Sequence, residues 1–327
     1  MKRKHLTFFA VLFALLFILA GCTQPPPAAS PAQTPAISSQ PTSAPESPAP
    51  VESPVPAESP SPSPESAKLA PLTVRTVDVK HGDCILLLGA NGEVMVIDTG
   101  EDNVRPLVRE ALDKAGITRI DILLLTHPHT DHIGNAAWII GNYPIGEVHM
   151  AEVTNNTKAF EKVLDALEKA NANVLPAKAG YSFTFAGAKC EYIGPVKDNY
   201  KNLNNSSAVM RMTYGDCVFL FAADMELEAE ADLLAARGAE ALKADFLKVG
   251  HHSEGSTSQA FAEAVRPQVA VVSMKSIQAY SKPQGKLAVH ERLRKLGAAL
   301  YRTDVNGDID VICDGQTLTV ETVRHEK

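Results

Sequence analysis

The stretch that decides the fold reads IDILLLTHPHTDHIGN and spans residues 120–135. Its first six residues form a near-continuous apolar run, which is typical of a strand covered on both faces. Three histidines and an aspartate then fall within six residues: His127, His129, Asp131 and His132. Such a group would be costly to bury without a cation to accept its lone pairs. The sequence therefore predicts a metal site at the end of a buried strand.

The alternation within this motif indicates two metal ions. His127 and His129 are expected to point toward one position, and Asp131 with His132 toward a neighbouring one, so the pattern suits a pair of ions. Histidine combined with carboxylate favours zinc, with manganese or iron as alternatives. We therefore expect two Zn²⁺ ions as the cofactor, with Mn²⁺ or Fe as the other candidates.

A second acid has the same relation to an apolar run. Asp224 directly follows the run Val218–Ala223, which predicts a position at a strand end where a buried charge needs a partner. The alternative is that Asp224 caps a helix predicted over Glu226–Ala236, and the two roles are compatible.

The amino-terminal region differs in composition from the rest of the chain. Residues 1–21 combine a basic start with an apolar run too short for a spanning helix of about 20 residues, which indicates an export signal. Residues 22–70 hold 14 of the 22 prolines and no aromatic residue, which predicts a disordered tether. Residues 71–327 remain as one large domain.

Small residues directly before Cys22 close the apolar run, and this order resembles the lipobox of bacterial lipoproteins. The resemblance implies that Cys22 is lipidated and becomes the mature amino terminus. An uncleaved signal anchor is the alternative. In either case the domain is expected on the extracytoplasmic face of the cell membrane, held there by the lipid anchor.

The chain is acidic. Its formal net charge is -7, and removal of the three basic residues in 1–21 changes it to 28 - 38 = -10. Such a charge gives little attraction to long duplex nucleic acid. Between Arg266 and Arg302, however, eight lysines and arginines face one acid. This stretch is either a solvated helix face around 285–297 or a patch that faces phosphate.

The remaining cysteines and ring side chains predict structural roles. The absence of a CxxC pair excludes a cysteine zinc ribbon. Cys84 and Cys217 lie in or beside apolar runs as expected of buried thiols, with disulfide bridges, which an oxidising compartment permits, as the alternative. Three further residues are predicted to be a structural histidine, a helix-surface histidine and a core tryptophan: His149, His290 and Trp138.

The histidine motif matches in full the HxHxDH pattern of the metallo-β-lactamase superfamily. The resemblance implies an α+β fold, the αββα sandwich of two mixed sheets covered by helices, with the metals at one edge. Five further stretches resemble the hydrolase domain of the DNA-uptake competence protein ComEC and the related phosphorylcholine esterases: residues 78–83, 96–100, 204–207, 219–224 and 247–252. The resemblance runs over about residues 71–320.

This resemblance assigns roles to individual residues. Asp224 would bridge both metals, and His252 would bind the second metal while His251 faces the substrate, although the order of these two histidines stays open. Asp98 would orient a ligand imidazole by hydrogen bonding, or act as a turn residue. Asn205 would support the ligands from behind.

Three departures from the family pattern affect substrate specificity. Residues 251–256 read HHSEGS where the family has HHGS, residues 280–284 read YSKPQ where it has YGHPH, and Ala222-Ala223 replaces Thr-Gly. His81 replaces the usual glutamine beside the site, with or without contact to it. None of these changes removes one of the six expected metal ligands.

The expected function is a membrane-tethered, two-zinc phosphodiesterase or nuclease of ComEC-like type. Its substrates would be small phosphodiesters or single-stranded nucleic acid, with Asp131, His251 and Lys282 at the catalytic centre. Nothing in the sequence indicates an obligate protein partner. The alternatives are a surface-binding module with a degenerate site and a hydrolase of non-phosphate esters or amides. A β-lactamase is disfavoured, because Asn204–Ser206 occupies the region of its third histidine.

Overall fold

Two mixed β-sheets pack face to face in the computed structural model, which describes residues 69–324. Helices flank the sheets, and the expected sandwich is confirmed. The predicted export signal over 1–21, and the predicted tether over 22–70 apart from Leu69 and Ala70, lie outside the described residues. Within residues 69–324, no helix combines the length and the apolar character needed to cross a bilayer.

The first sheet has eight strands in the order β15-β14-β1-β2-β3-β4-β5-β6. They are β1 (Leu72–Thr76), β2 (Ile85–Leu88), β3 (Val94–Ile97), β4 (Ile120–Leu125), β5 (Ile145–Met150), β6 (Val174–Pro176), β14 (Ile309–Cys313) and β15 (Leu318–Thr322). Strands β3 to β6 run parallel, and the remaining pairs are antiparallel.

The second sheet has seven strands in the order β13-β12-β11-β10-β9-β8-β7. They are β7 (Ser182–Phe185), β8 (Ala188–Gly194), β9 (Val209–Tyr214), β10 (Cys217–Phe221), β11 (Phe246–Lys248), β12 (Val269–Val272) and β13 (Ala299–Arg302). Strands β10 to β13 run parallel, and β7 to β10 form an antiparallel meander.

The α-helices of the described region are α1 (Arg105–Lys114), α2 (Thr130–Ile133), α3 (Ala136–Asn142), α4 (Lys158–Ala170), α5 (Leu227–Arg237), α6 (Gln259–Val265), α7 (Pro283–Lys295) and α8 (Thr303–Asn306). Short 3₁₀ turns lie at Asp102–Val104, Leu203–Ser206, Glu240–Leu242, Gly250–Ser253 and Ile277–Ala279. The amphipathic helices α5 to α7 bury Leu233, Phe261 and Leu293 against the outer face of the second sheet.

The main core lies between the sheets. Strand β4 buries five of its six side chains, and β12 buries all four, which explains why both read as continuous apolar runs. The inner faces meet through aromatic side chains such as Phe219, Phe246 and Tyr192. The four cysteines of this region are buried thiols, as predicted for Cys84 and Cys217.

Two turns bound strands of the first sheet. Strand β1 ends at Thr76, because the chain then turns through Lys80 and Gly82, both at positive φ. Strands β14 and β15 form a hairpin that turns at Gly315 with φ +87°.

Candidate metal centre

The predicted ligands meet where parallel strands of both sheets end. The HxHxDH loop follows β4 of the first sheet, while Asp224 follows β10 and His252 follows β11 of the second sheet. Because neighbouring parallel strands end at the same edge, the loops that follow them converge. A backbone hydrogen bond joins the two sheets at this edge, donated by the Ala208 N–H to the Thr126 carbonyl at 2.9 Å.

The loop places its ligands through a single helical turn. In α2 the N–H of His132 donates to the His129 carbonyl at 3.0 Å, so Asp131 and His132 project from one turn. Gly82 packs directly against this turn: it has φ +91°, and a Cβ there would lie 1.9 Å from the Asp131 carbonyl oxygen. Only glycine allows the neighbouring loop to approach so closely.

Three of the residues form a first donor group. The Nε2 atom of His127 lies 3.1 Å from Nδ1 of His129 and 3.6 Å from Oδ2 of Asp224. One donor atom from each of the three lies within 4.8 Å of the other two. This spacing is that of atoms which can share one cation.

Four residues form a second donor group that contains Asp224 again: Asp131, His132, Asp224 and His252. Nε2 of His132 lies 3.2 Å from Asp224 Oδ2 and 3.7 Å from Asp131 Oδ2. Nε2 of His252 lies 3.5 Å from Asp131 Oδ2 and 3.6 Å from Asp224 Oδ1. Asp224 is therefore the side chain common to both groups. The structure does not place it as a helix cap, because Glu226 occupies the position before α5.

Unpartnered donor atoms show that this arrangement fits metal ions. His132 Nε2, His252 Nε2 and Asp224 Oδ1 are buried and have no hydrogen-bond partner. Buried polar atoms are normally paired, so three that face one point indicate a missing positive partner.

The charge of the centre agrees with a pair of divalent ions. Four carboxylates lie in the cluster and its immediate support, from Asp83, Asp98, Asp131 and Asp224, and they face one buried ammonium group, that of Lys248. The sum is -4 + 1 = -3. Two divalent cations would bring the total to +1, within one unit of neutrality.

The support of the ligand rings fixes their orientation. Asp98 accepts from the Thr126 N–H at 2.9 Å and from the Thr126 hydroxyl at 2.6 Å, and it bonds Nδ1 of His132 at 2.7 Å. Nδ1 of His252 bonds the Ser273 carbonyl at 2.8 Å. In both rings Nδ1 is hydrogen-bonded on the side away from the metal centre, so Nε2 faces the centre.

The electrostatic surroundings shift the pKa values of His127 and His132 in opposite directions. Burial lowers the pKa of His127 well below its ordinary value, which keeps this ring neutral, the form that binds metal. Burial also acts against a charged His132, but Asp224 and Asp98 outweigh it and raise the pKa of that ring. A proton on His132 brings positive charge to these carboxylates. A bound cation would supply that positive charge in place of the proton.

His251 lies at the rim and differs from His252 in its partners. Its Nδ1 is 3.1 Å from Glu226 Oε1, and its Nε2 is 3.2 Å from Asn204 Nδ2 and 3.9 Å from Asp224 Oδ2. The side chain is 24% exposed, compared with 2% for His252. His251 is therefore the more accessible of the two rings.

The backbone that carries these histidines is strained. His251, His252 and Ser253 have φ values of 41°, 49° and 68°, three consecutive non-glycine residues in the left-handed region. Each costs free energy, and such conformations persist where the surroundings enforce them, often at functional sites. One enforcing contact is the Lys286 ammonium, which donates to the His252 carbonyl at 3.0 Å.

Asn205 lies one step behind the rim. Its Oδ1 accepts from the Glu226 N–H at 3.0 Å, and its Nδ2 donates to Glu228 at 3.3 Å. It thus holds the segment that carries the partner of His251. His81 lies beside the cluster, with Nε2 3.6 Å from Asp131 Oδ2 and its ring centroid 5.1 Å from that of His252.

Lys282 and the basic stretch are more dispersed than the sequence predicted. Lys282 is exposed at the start of α7, and among the described residues no contact joins it to the cluster. Lys286 is buried and pairs with Glu254 at 2.9 Å, while Arg292 bonds the Thr257 carbonyl. The stretch is therefore neither one solvated face nor one phosphate-facing patch.

Two of the structural predictions need correction. His290 is fully buried, with Nε2 3.1 Å from the Ser253 hydroxyl, because α7 packs this face on the Gly250–Ser253 turn. Trp138 is only partly buried and packs against Tyr143 at the surface. His149 is buried and bonded to Tyr192 at 2.6 Å, as a structural histidine should be.

Sequence reasoning missed two supporting pairs. Lys248 is buried within β11 and donates to Asp83 at 2.8 Å, and Glu226 pairs with His251. A lysine inside an apolar strand was the available signal for the first pair, because a buried ammonium needs an acid. The second pair had no local signal.

Comparison with known proteins gives the family. The sequence profile of the metallo-beta-lactamase superfamily matches residues 77–274, more than half of the chain. ComE operon protein 3 of Bacillus subtilis is 30% identical over 199 residues, which cover 61% of this chain and 25% of that protein. Competence protein ComA of Neisseria gonorrhoeae is 28% identical over 246 residues, which cover 75% of this chain and 33% of that protein.

Among solved structures, the metallo-beta-lactamase fold protein YhfI of Bacillus subtilis superposes with a TM-score of 0.48 at 12% identity, covering 76% of this chain and 100% of that one. The chain spans a third or less of the length of ComE operon protein 3 and of competence protein ComA. Its own matched region nevertheless carries both donor groups, and we conclude that the chain belongs to the metallo-β-lactamase superfamily as a metal-dependent hydrolase with ComEC-like homologues.

Proposed function

We propose that this chain is a two-zinc phosphodiesterase, tethered to the extracytoplasmic face of the cell membrane through a lipid on Cys22. Its substrates are small phosphodiesters or single-stranded nucleic acid. The resemblance of the motifs to the hydrolase domain of the DNA-uptake protein ComEC, together with the similarity to competence protein ComA, supports a link to nucleic acid. The acidic charge of the domain disfavours long duplexes.

The observation that carries the proposal is the shared carboxylate Asp224. It belongs to both donor groups, so one group would hold a first ion with His127 and His129, and the other would hold a second with Asp131, His132 and His252. Zinc is preferred for this histidine and carboxylate set, with manganese or iron as alternatives. When bound, such a pair supplies Lewis acidity and an activated water at neutral pH.

The residues around the pair complete the proposed reaction. His251, half-buried at the rim with Nδ1 3.1 Å from Glu226 Oε1, lies where it can contact a phosphoryl oxygen or the leaving oxygen. Asp131 and Asp224 both lie close to His252 Nε2, so Asp131 would hold the second ion together with Asp224. Lys282 is exposed and adds positive charge that attracts an anionic substrate from the α7 side.

Metal content and hydrolysis test the proposal together. Full-length protein should contain close to two metal ions per chain and should hydrolyse bis-p-nitrophenyl phosphate, and a chelator should remove both the ions and the activity. Asp131→Ala and His127→Ala should each lose a metal and abolish cleavage, because each removes a direct ligand. Asp165→Ala, at an exposed aspartate on α4, is the matched control and should change neither.

Substrate class is decided separately. A protein that is folded and loaded with metal, yet cleaves no phosphodiester while it hydrolyses a thioester, an amide or a lactam, would refute the phosphodiesterase assignment and retain the hydrolase. Protein that takes up no zinc, manganese or iron would refute the metal centre and favour a binding module.

Membrane tethering has its own test. Mass analysis of the mature amino terminus should find lipidated Cys22, and Cys22→Ala should release the protein from the membrane fraction. Unchanged processing and membrane association in that variant would contradict the lipobox interpretation.

A further inference from the structure

Two of the four cysteines in the described region lie in contact although they belong to different sheets. Cys217 is the first residue of β10, and Cys313 is the last residue of β14. Both belong to the core cluster between the sheets, with 3% and 0% exposure. The two thiols lie close enough that each shifts the pKa of the other.

A backbone contact explains how two sheets bring these thiols together. Facing sheets lie about 10 Å apart, whereas a disulfide needs Cα atoms within about 7 Å. Here the turn before Cys217 touches the turn after Cys313: the Asp216 N–H donates to the Gly315 carbonyl at 2.7 Å. A Cβ on Gly215 would lie 2.2 Å from that oxygen, so glycine permits the approach. The two sheets therefore approach each other closely beside the two sulfur atoms.

We propose that Cys217 and Cys313 form a disulfide that joins the two sheets when the chain folds in the presence of a small-molecule disulfide oxidant. The Cys313 sulfur accepts from the Gly315 N–H at 3.3 Å, so this residue is the first nucleophile. Its thiolate attacks one sulfur of the oxidant and releases one thiolate. Cys217 then gives up its proton and attacks the Cys313 sulfur, and the second thiolate leaves. Two cysteine thiols are oxidised, and the oxidant is reduced to two thiols.

The bond forms during folding rather than afterwards. Burial raises the pKa of both thiols, and the thiolate is the form that attacks. In the folded chain the reduced pair therefore reacts slowly, and a bond already formed is protected from reductants by the same burial.

The metal centre is not involved. Strand β10 runs from Cys217 toward Asp224, so the bond lies at the opposite end of this strand from the ligands. Metal content and hydrolysis are therefore expected to be the same in the oxidised and the reduced chain. Absence of the disulfide would consequently not contradict the proposed activity, and absence of the activity would not contradict the disulfide.

Peptide mapping tests the bond directly. Full-length chain is refolded with a mixture of reduced and oxidised glutathione, alkylated, digested and analysed by mass spectrometry. The expected product is a linked peptide pair containing Cys217 and Cys313, with Cys84 and Cys190 alkylated. The closed loop has 313 - 217 = 96 residues, so the oxidised chain should melt about 5–10 °C above the reduced chain.

Serine variants supply the controls. Cys217→Ser and Cys313→Ser should lose both the linked peptide and the rise in melting temperature on oxidation. Cys190→Ser, at a buried thiol for which residues 69–324 provide no thiol partner, should keep both. Alkylation of both residues in refolded wild-type chain, or a bond from either one to Cys84 or Cys190, would overturn the proposal. Mapping of the wild-type chain decides the matter even where a variant fails to fold.

Discussion

The buried ion pair behind the metal centre gives a quantitative prediction for Lys248→Met. The Lys248 ammonium lies 2.8 Å from Asp83 Oδ2 and also donates to the Val249 carbonyl at 3.2 Å. The two side chains are 1% and 2% exposed. Methionine has a similar length and no charge, so the substitution removes the ammonium and leaves the Asp83 carboxylate buried.

The expected cost follows from this geometry. Breaking a buried pair by removing one partner costs about 3–5 kcal/mol, because the remaining charge is uncompensated. His252 Nδ1, at 3.7 Å from Asp83 Oδ1, offers only partial compensation. We therefore expect the free energy of unfolding to fall by about 3–5 kcal/mol, a large share of the roughly 5–15 kcal/mol typical of a domain. The double variant Lys248→Met/Asp83→Asn should recover more than half of the loss.

Urea unfolding of the metal-free chain measures these differences. Wild type, both single variants and the double variant form a cycle whose coupling energy should be at least about 2 kcal/mol. Lys189→Met, at an exposed lysine in β8 of the same sheet, is the control and should stay within about 0.5 kcal/mol of wild type. A loss below about 1 kcal/mol for Lys248→Met, which is the range of a surface pair, would refute the argument from burial.

Three further predictions follow from the centre and its support. Burial lowers the pKa of His290 to about 4, whereas the unfolded chain titrates near ~6.5. The contribution of His290 to the free energy of unfolding should therefore be fully present above about pH 6.5 and should fall by up to about 3 kcal/mol as the pH drops to 4. His290→Gln should reduce this pH dependence in urea titrations. Gly82→Ala should weaken metal binding at least tenfold in a chelator competition, whereas Gly92→Ala, equally strained at φ +88° but with open space, should not. Asp224→Ala should lose both ions in elemental analysis, whereas His127→Ala should keep one.

The parts of the centre that are local in sequence could be predicted. The HxHxDH loop lies on six consecutive residues after a buried strand, so its residue types alone indicated a metal site. Asp224 was predictable because an acid that ends an apolar run must find a positive partner. The two sheets followed from the resemblance, and the boundaries of β4 and β10 from the apolar runs.

The parts that depend on distant packing could not be predicted. His290 was predicted to lie on a helix surface, but the face of α7 that it occupies packs on the turn carrying His252. Lys286 was counted as a free charge, although it is buried against Glu254 and the Tyr280 ring. Ser253, the partner of His290, and Glu254, the acidic partner of Lys286, each lie more than 30 residues away in the chain, so no spacing rule indicated them.

The division of the ligands between the sheets determines when the centre can assemble. Residues 127–132 follow β4 of the first sheet, whereas Asp224 follows β10 of the second sheet. Asp224 lies 224 - 132 = 92 positions after His132 in the chain. A nascent or refolding chain that has formed only one sheet holds an incomplete set of donors. Contacts of such long range form late, because chain entropy must be lost first. Metal uptake in a stopped-flow experiment would therefore report the docking of one sheet on the other, and a bound ion would slow their separation.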